Sequence, residues 1–554
     1  MTTNEGSLSG KLVILGLASV LAACGGQLAP SASGGSGAAK GGTLSIAFNS
    51  DLQHLDPALA YDTASQPAVR LLFDSLLDYD EGTKLGPALA ADMPTVSADG
   101  KVYTFKLKPG IKFVKADGQA LREITADDVA YSINRVLSPN LKPSPSPVES
   151  AFFGNIVGAE EVIGGKAKTA TGIKVIDPAT IEFDLVKADR TFLNVMATTF
   201  ASVVPKEFAT DDTAKFDAAP IGTGPFYLKT YTKGQSAQFV RNPVFWDAGQ
   251  PLLDGVDFRL SVDDDTALQQ VQADQLDVMG DAIPSGSFTQ VTTDPTYKDQ
   301  IYHHTLVDTQ FLYMDTQMPN KGPLSILKVR QAIEHAIDKD HIVQIIHGAG
   351  KPAGCIYPPD LPGYDASCNP YNYDPAKAKS LLAEAGFPNG FSTKFFTDTT
   401  DPDPQVAEAI QQDLADIGIK VQLEKQEFST YLDTLFTPHA GPMQYIGWYQ
   451  DYPDTSDFID PILSCATTVK GGSNAAQYCN KEVDAKAAAA KGMTDEAARE
   501  AAYQEIERMI MADAPAVPIY YQERYNIVSK RTVGFAIHPV WLIDVRALSL
   551  KAGS

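Results

Sequence analysis

Residues 403–426, "DPQVAEAIQQDLADIGIKVQLEKQ", read as a helix that ends near Gly418 and passes at once into a strand carrying Ile419, Val421 and Leu423. A helix that hands over directly to a strand is half of an α/β unit, and it restricts the chain to folds in which helices pack on a sheet. The same mixture recurs along the sequence. "GTLSIAFN" alternates Leu44, Ile46 and Phe48, and "KVYTFKLKPG" alternates Tyr103, Phe105 and Leu107 before a Pro109-Gly110 turn, so both read as half-buried strands. "IKVIDPATIEFDLV" reads as strand, Asp-Pro turn, strand. In "ITADDVAYSINRVLS", Thr125 and Asp128 have capping-box spacing ahead of a stripe of Val129, Ile133, Val136 and Leu137. "LKVRQAIEHAIDKDHIVQIIHG" reads as helix, break, helix. "YDPAKAKSLLAEAGF" starts a helix at Asp374-Pro375 and stops it at Gly386. "TDEAAREAAYQEIERMIMADAP" is a long helix stopped by Pro515, and "AVPIYYQERYNIVS" is a final strand region. No internal repeat stands out. The predicted class is α/β with mixed sheets, and 554 residues suffice for two or three lobes.

The N-terminal segment sets the compartment. "KLVILGLASVLAAC" is one Lys followed by an apolar run from Leu12 to Ala23. The run is too short to span a bilayer and fits a secretory h-region. It ends at Cys24, ahead of "GGQLAPSASGGSGAAKGG", whose composition is that of a flexible tether. This segment resembles a bacterial lipoprotein signal, which implies that Cys24 carries a lipid and becomes the new N-terminus after cleavage. A plain signal peptide with a chance Cys is the alternative. The expected division is signal peptide 1–23, tether 24–41, and a mature protein outside the cytoplasmic membrane, anchored by lipid.

Five cysteines less Cys24 leave two close pairs, Cys355 with Cys368 and Cys465 with Cys479. In an exported chain these read as disulfides. A metal site is the alternative, but C-x-x-C spacing and a suitably placed His are missing, so no metal is expected. Lys+Arg 45 against Asp+Glu 68 gives a net charge of −23, which argues against nucleic acid as a partner. There is no G-x-S-x-G and no H-E-x-x-H, and "HGAGKPAG" lacks the spacing of a phosphate loop. His335, His341 and His347 are six apart and do not share a helix face. No catalytic residue and no cofactor is expected; an exported hydrolase stays open only because acid pairs need no motif.

"GWYQDYPD", residues 447–454, sets Asp451 among Trp448, Tyr449 and Tyr452. A carboxylate in such company needs a partner, because its desolvation is otherwise costly. It holds a ligand cation, or it caps the turn before "PDTSDF"; Asp454, with Asp457 three residues later, is the better cap.

Several stretches together resemble one family, the extracytoplasmic oligopeptide- and dipeptide-binding proteins of ABC importers (solute-binding family 5). In order they are "LDPALAYDT", "VYTFKLKPGIKF" with "ADGQALREITADDVAYSINRV", "IGTGPFYL" with "VRNPVFWD", "LKVRQAIEHAIDKDHIV" with "YDPAKAKSLLAEAGF", "GWYQDYPD" with "YCNKEVDA", and "APAVPIYYQERYNIV". They cover nearly all of residues 42–554. The chain departs from the pattern at Phe113, where the family usually has Trp, in the stretched "ADGQALREITA", and around Asp315.

The resemblance implies a two-lobed periplasmic-binding-protein-like fold, with two strands crossing between the lobes near "FLYMDT" and "AVPIYY". Lobe I is expected from 42–70, 187–312 and 517–554, a satellite subdomain from 71–186, and lobe II from 313–516. The ligand would be enclosed between the lobes, which close by a hinge. The resemblance further implies that Asp451 holds a peptide α-ammonium group, that Trp448, Tyr449 and Tyr452 wall the cleft, and that Asp51, Leu52, Thr223 and Phe226 line it. No partner for a peptide C-terminus is evident. The implied function is capture of peptides, by a monomer, for ABC permease subunits and their ATPases. An oligosaccharide, haem or a nickel chelate is the alternative ligand, since one fold serves several.

Overall fold

The computed structural model describes residues 38–318 and 322–552. The signal segment 1–23, Cys24 and most of the tether lie outside the described residues. No helix among the described residues is long and apolar enough to cross a membrane.

The local patterns form as their chemistry dictates. The strand Thr43–Ala47 buries Leu44 and Ile46, and Val102–Lys106 buries Tyr103 and Phe105. The capping box closes: the Asp128 carboxylate accepts the Thr125 backbone N–H at 2.9 Å, opening the helix Ala126–Val136. That carboxylate also receives two hydrogen bonds of 2.7 Å from the Arg122 guanidinium. The helix Asp403–Asp416 turns at Gly418, whose φ of +92° is a conformation that side chains disfavour, and leads into the strand Lys420–Gln426. That strand pairs parallel with Ser392–Asp398, completing a strand–helix–strand unit. Ile419 is fully buried, whereas Val421 and Leu423 are half-buried, because their strand is the outer edge of its sheet.

Two sheets organise the molecule. One has five strands in the order Phe226–Thr232, Ser236–Arg241, Gly255–Arg259, Thr43–Ala47, Val278–Met279, the last three mutually parallel. The other has six, in the order Gly350–Pro352, Ala516–Ile527, Ile301–Met314, Met443–Tyr449, Ser392–Asp398, Lys420–Gln426. Two of its strands are unusually long, 14 residues in Ile301–Met314 and 12 in Ala516–Ile527, and they pair antiparallel. Their register breaks between Thr305 and Thr309. Leu306, within the break, and Val528, just past the end of Ala516–Ile527, join the core that contains Leu44 and Phe258. Past the break, side chains alternate between two cores: Phe311 and Tyr313 face one, Leu312 and Met314 the other. The six-stranded sheet is thus covered on both faces. Buried residues of the four-stranded sheet, such as Phe105 and Phe183, share one contiguous core with Leu44 and Phe258.

Both disulfides pair as the spacing predicts, Cys355 with Cys368 and Cys465 with Cys479, at Cα separations of 5.8 and 4.3 Å.

Candidate ligand-binding cleft

The strand Met443–Tyr449 carries the chain to the edge of the six-stranded sheet, where it must turn. Gln450 fixes the turn: its backbone N–H donates to the Val307 carbonyl at 3.1 Å and its side-chain amide to the Pro539 carbonyl at 2.6 Å. Asp454 then caps a short 3-10 helix, Thr455–Phe458, by accepting the Ser456 N–H at 2.9 Å, and it pairs with Arg499 at 2.7 Å. Capping is therefore done by Asp454. Asp451 is left free for something else.

The Asp451 Oδ1 accepts a hydrogen bond of 2.5 Å from the hydroxyl of Tyr61, a residue of the loop that follows the first strand of the five-stranded sheet. Its Oδ2 accepts nothing from the described residues. Behind it sits Asp457, 2% exposed, which accepts the Asp451 backbone N–H at 2.8 Å and the Trp448 indole N–H at 3.3 Å. Burial pushes the Asp451 carboxyl above its usual range, with the Tyr61 hydrogen bond opposing it. Burial, and then the neighbouring Asp451, push Asp457 well above that range. Burial and the same carboxylate keep the Tyr61 hydroxyl protonated, hence a donor. No Lys, Arg or His among the described residues is ion-paired with either acid. The pair is short of positive charge.

A cavity of about 170 Å³ opens against this pair. Tyr61, Phe152, Phe200, Tyr449 and Trp541 supply aromatic walls; Asp451, Asp62 and Gln450 supply acceptors; no Lys, Arg or His lines it. Of the residues singled out in the sequence, Asp451 and Tyr449 line this cavity directly. Tyr452 packs on Phe152 with ring centroids 5.8 Å apart, and Trp448 stands behind, bonded to Asp457. The other four are not brought to it. Asp51 accepts the Tyr231 hydroxyl at 3.0 Å, and Thr223 donates to Asp74 at 3.0 Å. Leu52 and Phe226 are buried in the core around Leu44. Asp315 is buried and bonds His439 Nδ1 at 2.7 Å, away from the cavity. Sequence reasoning missed Tyr61, Phe200, Trp541 and the role of Asp457. Tyr61 had a signal, an aromatic next to an acid in "LDPALAYDT"; Phe200 and Trp541 had none, being brought in from distant segments.

The family model of the bacterial extracellular solute-binding proteins, family 5 (middle), matches residues 84–470. The chain belongs to that family. Among its relatives in the family, heme-binding protein A of Haemophilus influenzae is 30% identical over 502 residues, spanning 87% of this chain and 88% of that protein. The dipeptide-binding protein of Escherichia coli is 30% identical over 495 residues, spanning 87% and 88%. The solved structure of the ABC transporter-associated periplasmic binding protein DppA from Helicobacter pylori, in complex with the peptide STSA, matches at a TM-score of 0.75 and 28% identity, over 93% of this chain and 99% of that one. The two-lobed mixed α/β architecture of family 5 is the architecture of this chain, and these relatives are binding proteins.

Proposed function

We propose that this protein is the substrate-binding component of an ABC importer, and that it captures peptides by their α-ammonium group at Asp451. One observation carries the reading: a desolvated carboxylate, backed by a second buried acid, meets the opposite wall of the cleft through one hydroxyl and has no cation of its own. An ammonium group supplies the missing charge and up to three donors. The names of the Escherichia coli and Helicobacter pylori relatives support a peptide. The relative named for haem favours another ligand class. Against that class, haem presents carboxylates, and the cavity at Asp451 is lined by no cation to receive them.

In this reading residues 42–70, 187–312 and 517–554 form lobe I with 71–186 as its satellite, and 313–516 form lobe II. The strands Ile301–Met314 and Ala516–Ile527 serve as crossings, hinged at the register break. Cys24 carries the lipid anchor, and a monomer delivers its ligand to the permease subunits. Calorimetry with trialanine and N-acetyl-trialanine tests the ligand. The free peptide is expected to bind and the acetylated one to bind at least roughly 100-fold more weakly, as loss of a paired buried charge demands. Equal binding of the two, an oligosaccharide, haem or metal chelate retained by gently purified protein, or turnover of the peptide would overturn the reading.

A further inference from the structure

Away from the cavity at Asp451 the two lobes meet at another place, and this one is charged. The loop after the strand Thr180–Asp184 carries Ala188, Asp189 and Arg190. Across from it lie the end of the helix Lys481–Lys491 and the start of the helix Glu496–Asp513. The Arg190 backbone N–H donates to the Lys491 carbonyl at 2.9 Å, and its Nη1 donates to the Thr494 carbonyl at 2.6 Å. Its Nη2 is 3.8 Å from Glu496 Oε2. The Lys491 Nζ lies between two carboxylates, Asp460 Oδ2 at 2.7 Å and Asp189 Oδ2 at 3.4 Å.

The loop is shaped within its own lobe. Asp189 Oδ1 accepts the Thr191 backbone N–H at 3.0 Å and the Thr191 hydroxyl at 2.7 Å, a turn that an Asp two residues ahead of an N–H forms readily. The Tyr103 hydroxyl donates to the Asp189 carbonyl at 3.0 Å. Oδ2 is the oxygen left for Lys491. On the other side, Lys491 is the last residue of its helix. The last four carbonyls of a helix lack partners within it and carry the negative end of its dipole, so an N–H and a guanidinium are what that end takes. Burial lowers the Lys491 pKa, and Asp460 and then Asp189 more than reverse this, so the ammonium stays charged. Asp460 lies in the same lobe as Lys491, so only the Asp189 half of the pairing breaks if the lobes part.

None of Asp189, Arg190, Lys491 and Thr494 lines the cavity at Asp451. Their contacts act on the approach of the lobes and not on a ligand. Contacts made only when the lobes are together shift the equilibrium toward that arrangement. The side chains of Asp189, Lys491 and Arg190 are 16%, 23% and 36% exposed, so dissolved ions reach them and screen them.

We propose that Asp189 and Arg190 are a latch outside the ligand cleft, which grips the end of the helix Lys481–Lys491 and makes retention of the ligand depend on ionic strength. This rests on the division into lobes given above and not on the choice of ligand. High salt weakens the latch, the lobes part more often, and the ligand leaves sooner. Entry is through parted lobes, so the association rate is spared.

The test uses the full chain and two nearly isosteric variants, Asp189→Asn and Arg190→Gln, singly and together. Asn keeps an oxygen for Thr191. Release of trialanine is followed by stopped flow at about 0.02 M and about 0.5 M sodium chloride, between which the Debye length falls from roughly 20 Å to roughly 4 Å. In the wild type, release should be roughly 5- to 30-fold faster at high salt, as two or three partly exposed charged contacts imply. In the double variant it should already be that fast at low salt and change little with more salt, with the association rate unchanged throughout. Variants that release at the wild-type rate at low salt overturn the proposal. So do variants that release faster but keep the full wild-type response to salt, since the salt-sensitive contact then lies elsewhere. If trialanine does not bind, the peptide reading fails and small-angle scattering of the empty protein decides the latch: the wild type should expand at high salt and the double variant should not, and equal behaviour overturns it. If the variants do not fold, the wild-type response of release to salt decides by itself.

Discussion

The hydroxyl of Tyr61 donates a 2.5 Å hydrogen bond to Oδ1 of Asp451, 390 residues further along the chain. One residue follows a strand of the five-stranded sheet, the other a strand of the six-stranded sheet, so this hydrogen bond joins two walls of the cavity. In the proposed reading, a ligand ammonium would share Oδ1 with Tyr61 or use the free Oδ2.

Asp451→Asn is expected to weaken peptide binding by about 3–5 kcal/mol, or roughly 150- to 5,000-fold, because one partner of a buried charge pair is lost. The melting temperature of the empty protein should barely fall. N-acetylating the peptide should be comparably damaging in the wild type and nearly harmless in the mutant. Calorimetry on both proteins with both peptides gives the cycle; additive losses would remove Asp451 from the site.

Stability should fall as pH rises from about 5 to about 8. Burial pushes Asp308 up to about 7, Asp403 to about 8 and Glu507 to about 7. Folded pKa values above the unfolded ones mean that the folded state binds more protons in this window. Their stabilisation is complete below about pH 4 and is lost as pH rises through the folded values. Carboxyls such as Asp454, where burial raises the pKa but Arg499 brings it lower, act in the opposite sense and lose their contribution as pH falls below about 4. Asp308 lies in the register break and accepts from Gln310 Nε2 at 2.8 Å, a bond that an amide oxygen preserves. Asp308→Asn should therefore narrow the difference between pH 5 and pH 8 by roughly 2–4 kcal/mol, at about 1.4 kcal/mol per pKa unit. Denaturant titrations at the two pH values measure it, and an unchanged difference contradicts the assignment.

Each disulfide closes a short loop, with sequence separations of 13 and 14. In the chain-entropy model each contributes about 3 kcal/mol. Replacing Cys355 and Cys368 together by Ala should lower the denaturation midpoint with the m-value nearly constant. Peptide mapping without reductant should recover the Cys355–Cys368 and Cys465–Cys479 links; four free thiols in exported protein would refute them.

Cys24→Ala should release the protein from membranes. Signal, cysteine and tether follow one another in the order a lipoprotein requires, and several acyl chains hold where one is marginal. Fractionation of cells expressing the wild type and the variant measures it, and identical partition rules the anchor out.

What the sequence determined by itself was local or pairwise along the chain. The capping box at Thr125, the turn at Gly418 and the alternation of Leu44 with Ile46 depend on neighbours within a few residues, the two cysteine pairs on partners 13 and 14 residues away, and they form as read. Asp451 was legible for the same reason, because an acid among aromatic rings is already anomalous over eight residues. Only the tertiary structure decided who meets it. Tyr61, Phe200 and Trp541 arrive from three distant segments. Thr223 and Phe226 show the converse, since their positions suggested a cleft while packing sent them into the core. Periodicity states which face of an element is apolar; whether a polar group ends beside a partner, a cavity or nothing depends on contacts hundreds of residues apart, which no local pattern encodes.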